Sequence, residues 1–135
     1  MISSQIIKIA SDTSNYGIKK KSNYIATSKN KICGDKITVE VEISNNIIKK
    51  MYYETESCIF CQASASLLSK IIKKKSFKEL CSFVDDIKKL DKKKNIILTK
   101  KYKPFKCLFQ LKYKERINCV MLPFNALLKA INCRI

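Results

Sequence analysis

The sequence predicts an α+β fold: a small antiparallel sheet backed by helices. Two observations carry this. From Ile37 to Ile43 the pattern alternates strictly, with Ile37, Val39, Val41 and Ile43 on one face and Thr38, Glu40 and Glu42 on the other, the period of a half-buried strand. After residue 57 the period changes. In "SCIFCQASASLLSKIIKKK" the apolar residues Phe60, Ala63, Leu67, Leu68, Ile71 and Ile72 recur at helical spacing. An antiparallel sheet followed by a run of helices, without strict βαβ alternation, is the signature of an α+β domain.

The remaining elements follow in order. "SSQIIKIA" reads as a short first helix with Ile6, Ile7 and Ile9 inward, and "SNYGIKKK" as a turn pinned by Gly17. "SNYIATS" is a candidate first strand, preceding the alternating one. The turn residues "SNN" at 44–46 then lead into "IIKKMYYETES", the hairpin partner. Ala63, Ser64, Ala65 and Ser66 keep the next helix slim where it meets the sheet. A further helix runs through "SFKELCSFVDDIKKLDKK", where Ser76 and Glu79 are placed as a capping box. Its stripe is Phe77, Leu80, Phe83, Val84 and Ile87. Pro104 is expected to open a short helix through "FKCLFQL". "RINCVMLPFNALLKAI" closes with a turn and a last helix that points Leu122, Ala126, Leu127, Ala130 and Ile131 inward. Residues 1–135 read as a single domain, without repeats or a linker.

Composition narrows the function classes. The formal net charge is +17, yet of 28 basic residues only Arg116 and Arg134 are arginine. Phosphate and guanine recognition favours the arginine fork, so a basic nucleic-acid-binding module ranks third among the readings. The "KKK" runs at 19–21, 73–75 and 92–94 read as solvated surface that favours acidic partners at low salt. No apolar run reaches the roughly 20 residues of a membrane span, and the N-terminus does not resemble a secretory signal. A cytoplasmic or organelle-matrix location is expected, with no membrane partner. The absence of histidine argues against acid–base or hydrolytic catalysis.

Seven cysteines are many for this length. An odd count without a secretory signal is poor evidence for a disulfide framework and raises metal ligation or thiol chemistry. Cys33, Cys58 and Cys119 fall where elements begin or end, the places where ligands and nucleophiles reside on a rigid scaffold. A helix N-terminus also favours the thiolate over the thiol. Gly34 permits a tight backbone that turns Cys33 and Asp35 into one site. Three thiolates and a carboxylate would hold zinc or anchor an iron–sulfur cluster. The hard oxygen ligand would loosen the grip on a soft, sulfide-bridged assembly. Cys81, Cys107 and Cys133 read as small buried hydrophobes, and Cys61 as either a spare ligand or a helix-packing residue.

At these residues the sequence resembles the U-type iron–sulfur cluster scaffold family, comprising IscU, SufU and the N-terminal domain of NifU. "NYG" at 15–17, "CGDKITVEVEI", "SCIFCQASASLLSK" and "RINCVMLPFNALLKAI" match its motifs in family order. The resemblance implies a three-stranded antiparallel sheet packed against helices. It also implies Cys33, Asp35, Cys58 and Cys119 as ligands of a transient [2Fe–2S] or [4Fe–4S] cluster, with zinc possible in the same site. The implied partners are a cysteine desulfurase and apo-proteins that receive the cluster. Cys119, the usual sulfur acceptor in the IscU branch, and Cys33, that of the SufU branch, are the rival persulfide acceptors. Two departures stand out: Asn118 replaces the IscU histidine before the last cysteine, and "LKYKERINC" replaces a Leu-Pro-Pro-Val-Lys chaperone motif. With the long segment between Cys58 and Cys119, they favour the SufU-like branch. A zinc-bound sulfur acceptor that stimulates the desulfurase is the alternative reading.

Overall fold

In the computed structural model, which describes residues 3–32, 34–93 and 104–131, the chain runs in the order α1 (Ser4–Ser11), β1 (Tyr24–Lys29), β2 (Lys36–Ser44), β3 (Ile47–Glu56), α2 (Ile59–Ile71), α3 (Phe77–Lys93) and α4 (Ile117–Ile131). The three strands form one antiparallel sheet in the order β1-β2-β3, as expected. Asn45 and Asn46, both at positive φ, make the two-residue hairpin turn between β2 and β3. This is the backbone that primed turns require and that asparagine tolerates. Helix α4 packs across β1 and β2, and α2 packs against β3, α1 and α4. Ile37, Val39, Val41, Met51 and Tyr53 fill the helix-facing side of the sheet.

Four local expectations need correction. In α1 it is Ile6 and Ala10 that are buried, while Ile7 is exposed, because helical periodicity favours the i, i+4 pair over two adjacent residues. The segment after Pro104 forms a single 3₁₀ turn and bends rather than a continuous helix, and a second 3₁₀ helix, Leu111–Arg116, leads into α4. Its apolar residues still reach the core: Phe105 stacks within 5.4 Å of Phe124 and 6.3 Å of Phe83 between ring centroids. Cys107 is buried as expected, but Cys81 is disulfide-bonded. The expectation for Cys133 also falls outside them.

The fourth correction concerns Glu40, placed by its alternation on the polar, solvent side of β2 but in fact fully buried. The cause lies in the connection from α1 to β1. Residues 15–17 run along the edge of β3, where Gly17 N–H donates to the Tyr53 carbonyl (2.7 Å) and Tyr53 N–H to the Asn15 carbonyl (3.3 Å). To reach the far edge, residues 18–22 must cross the open face of the sheet. A crossing segment has no strand partner for its own N–H groups, and buried backbone donors need one. Glu40 supplies it. Its Oε1 accepts from Lys19 and Lys20 (2.7 and 3.0 Å) and its Oε2 from Lys21 and Ser22 (2.6 and 2.9 Å). Lys20 takes a positive φ of 56° in the crossing. Beside it, the Lys19 and Lys50 ammonium groups each lie 5.7 Å from the Tyr52 ring centroid.

Burial pushes the Glu40 pKa up, but the four backbone donors outweigh it, and the carboxyl lies below its ordinary value of 4.5. A lowered folded-state pKa means that the stabilisation is complete above the unfolded-state value and is lost as pH falls through the folded one. Glu40→Gln keeps the shape but turns an amide NH₂ toward N–H donors, leaving buried donors unsatisfied. It is expected to cost about 3 kcal/mol at neutral pH and to flatten the loss of stability below about pH 4.5. Urea unfolding of both proteins across pH 3–7 measures the two effects.

Candidate metal centre

Three of the four side chains singled out from sequence meet at one end of the sheet. Asp35 precedes β2, after Gly34 at φ +78°, a conformation that favours glycine. The turn is closed by Gly34 N–H donating to the Asn30 carbonyl and Asn30 N–H to that of Asp35, both 2.8 Å. Cys58 is the N-cap residue of α2, with no side-chain capping bond. Cys119 lies in the first turn of α4. It had been expected just before that helix, but α4 begins two residues earlier, at Ile117. A carboxylate oxygen of Asp35 and the sulfurs of Cys58 and Cys119 all lie within 4.8 Å of one another. Cys33 lies outside the described residues.

The electrostatics of the cluster centre on Asp35, which is buried. Its Oδ1 accepts the Cys58 N–H at 3.3 Å, which ties β2 to the start of α2. Its Oδ2 has no hydrogen-bond partner and no exposed surface. A buried carboxylate oxygen without a donor is costly, and a cation is the group that would relieve it. Two sulfurs and one oxygen suit a thiophilic ion such as zinc or iron. In a tetrahedral zinc site sulfurs stand roughly 3.7 Å apart, a spacing inside the limit that encloses these three donors.

Helix α4 is pinned where it carries Cys119. Pro123 cannot donate to the Cys119 carbonyl four residues earlier, so the helix lacks one of its own bonds there. One residue on, the Ser64 hydroxyl of α2 donates to the Val120 carbonyl at 2.6 Å. The small-residue face of α2 therefore does more than make room for the sheet; it holds the helix that carries a candidate ligand.

Sequence reasoning left Cys61 open and missed its surroundings. Its spacing places it one turn beyond Cys58, and the structure buries it fully beneath the cluster. Its sulfur lies 3.9 Å from Thr55 Oγ1, which lies 2.6 Å from both the Lys36 carbonyl oxygen, to which it donates, and Ser57 Oγ. Thr55 and Ser57 thus form a hydroxyl floor that no residue pattern announced. Burial pushes the Cys61 thiol up to about 12, with Asp35 and Cys58 adding to the shift and the Ser57 and Thr55 hydrogen bonds opposing it. A raised pKa keeps Cys61 as the unreactive thiol throughout the physiological range. Iodoacetamide at pH 8 should therefore label half-buried Cys58 in the folded protein and leave Cys61 unmodified until urea is added. Peptide mass mapping reads the order.

Comparison with known proteins agrees with this architecture. The NifU-like N-terminal domain family matches residues 1–132. The chain is 27% identical over 132 residues to the iron–sulfur cluster assembly scaffold protein IscU of Thermotoga maritima, covering 97% of this chain and 92% of that protein. Among solved structures, the N-terminal part of a NifU-like protein from Brucella abortus superposes with a TM-score of 0.84 at 21% identity, over 96% of this chain and 91% of that one. A candidate scaffold protein for the SUF system of Fervidobacterium islandicum gives 0.79 at 19% identity, over 96% and 95%. With its three-stranded sheet, its helices and a family match that spans nearly its whole length, the chain belongs to the NifU-like N-terminal domain family.

Proposed function

We propose that this protein is an iron–sulfur cluster assembly scaffold. It takes sulfur from a cysteine desulfurase, combines it with iron into a transient [2Fe–2S] or [4Fe–4S] cluster, and yields the cluster to apo-proteins. One observation carries the reading: Asp35, Cys58 and Cys119, from three separate elements, gather around a buried carboxylate oxygen that no protein donor satisfies. Cys33 is the proposed fourth ligand. The relative from Thermotoga maritima is named a scaffold rather than an enzyme, which supports the same class.

The chemistry follows from the donor set. The thiolate of Cys33 or Cys119 attacks the outer sulfur of the desulfurase persulfide. The S–S bond breaks, the desulfurase thiolate leaves, and the sulfur remains on the scaffold as a persulfide, which two electrons from an external reductant split into sulfide for the cluster and the free scaffold thiolate. Iron is held by the thiolates and the carboxylate. Carboxylate oxygen is a hard donor and binds soft, sulfide-bridged iron less firmly than a fourth thiolate would. That weakness suits a cluster that must leave. The SufU-like branch remains the favoured placement, on the replacement of histidine by Asn118 and the long segment between Cys58 and Cys119. In a reading with zinc as the resting metal, the same four residues bind the ion and exchange one thiolate for the desulfurase cysteine.

Anaerobic reconstitution with ferrous iron, cysteine, desulfurase and a dithiol reductant is expected to give cluster absorption in the wild type and none in a Cys58→Ser/Cys119→Ser variant. Equal spectra from the two proteins would sink the scaffold reading. Asp35→Cys should slow cluster transfer to an apo-ferredoxin by about tenfold or more, because a thiolate replaces the weakest ligand. A preparation that stimulates the desulfurase strongly while holding only zinc would favour the sulfur-acceptor alternative.

A further inference from the structure

A second surface lies beside the metal centre and is made of different residues. Between the outer strand β1 and helix α4 runs an open groove of about 510 Å³, lined by Thr27, Ser28, Lys29, Lys31, Leu122, Asn125 and Lys129. Three of its walls' side chains are exposed lysines, and no carboxylate lines it. The sequence on both sides is free of acid: neither residues 13–34 nor residues 116–135 contain aspartate or glutamate. No acidic residue of either segment offsets these three lysines, whereas Lys70 is paired with Asp12.

The backbone adds a second feature. β1 is the outer strand of the sheet, and an outer strand presents backbone groups that another strand can pair with. Here the Lys129 ammonium donates to the Thr27 carbonyl at 2.9 Å. A lysine on an edge acceptor is a reversible guard. A carboxylate can take the ammonium away, and the carbonyl is then left to accept an N–H from an incoming chain. Lys29 ends β1 and Lys31 stands in the turn that follows it, both exposed along the groove. Ile32, 90% exposed next to Lys31, offers an apolar contact at the entrance.

We propose that the groove between β1 and α4 binds an extended acidic segment of a partner protein, which adds along the β1 edge and pairs its carboxylates with Lys29, Lys31 and Lys129. Polypeptide fits this lining better than nucleic acid. The lining has no aromatic side chain for a base to stack on and no arginine for a phosphate fork, while the strand edge offers the main-chain hydrogen bonds that peptide addition uses. The proposal does not depend on cluster chemistry, since none of the lining residues is a candidate ligand.

The test is fluorescence anisotropy with the full chain and a labelled ten-residue peptide of alternating glutamate and valine. Binding is expected to weaken about five- to tenfold in Lys29→Gln/Lys129→Gln, to change less than about twofold in Lys8→Gln/Lys73→Gln, and to be retained in Lys129→Arg. A peptide with glutamine in place of glutamate should bind at least about tenfold more weakly, as loss of several charge pairs requires. Equal weakening in both double variants would mean that net charge alone attracts the peptide, and would overturn the proposal. So would displacement of the peptide by a thymidine oligonucleotide more readily than by unlabelled peptide. Failure of cluster reconstitution would leave the result unaffected, so the two readings fail separately.

Discussion

The chain must cross the open face of its own sheet, and Glu40 is what makes the crossing tolerable. The α1–β1 connection starts on the β3 edge and has to end on the β1 edge. Over the central strand its amides have no strand to donate to. A carboxylate buried beneath them accepts four N–H groups at once, which offsets its own desolvation and theirs. The consequences reach across the molecule. β1 is delivered in register against β2, with Tyr24 opposite Val41. Only then can α4 lie across both strands, and α4 carries Cys119.

At the other end of β2 a second carboxylate is buried with the opposite outcome. Glu40 has every oxygen satisfied by backbone; Asp35 has one satisfied by the Cys58 N–H and one without a partner. The contrast separates two uses of a buried charge. A fully donated carboxylate is a structural clasp. A half-donated one retains a free lone pair where two sulfurs converge, and an unmet electrostatic demand of that kind is what a cation answers. Cys61, directly below, does not compete, because its burial holds it as a thiol against the opposing pull of its hydroxyl neighbours.

How far this was legible in the sequence depended on the range of the interaction involved. The strands, the hairpin and the helices α1 to α4 follow from periodicity and turn residues, which are local. The candidate ligand positions were legible because Cys58 and Asp35 mark the starts of elements, and element ends converge where the elements pack. Glu40 was not legible. Strict alternation gives a residue's face but not what lies over that face, and the cover comes from residues about twenty positions away. The 104–110 segment failed for a related reason. Its four apolar residues have helical composition, but Phe105 is claimed by the aromatic contacts with Phe83 and Phe124, and tertiary packing overrides propensity.

The lysines close the argument, because their sum in the composition hides three different roles. At 19–21 the backbone is spent on Glu40, which turns the side chains outward and leaves Lys19 to lie over Tyr52. Lys70 is neutralised by Asp12, whose carboxyl is held well below the usual range by that ion pair and by Ser14, and the pair fastens α1 to α2. Lys129 is the exception, since its hydrogen-bond acceptor is a backbone carbonyl rather than a carboxylate. An ammonium on a neutral acceptor gains less than one on an anion. It therefore retains a preference for negative charge that the other two have already met, and it does so at the β1 edge of the sheet.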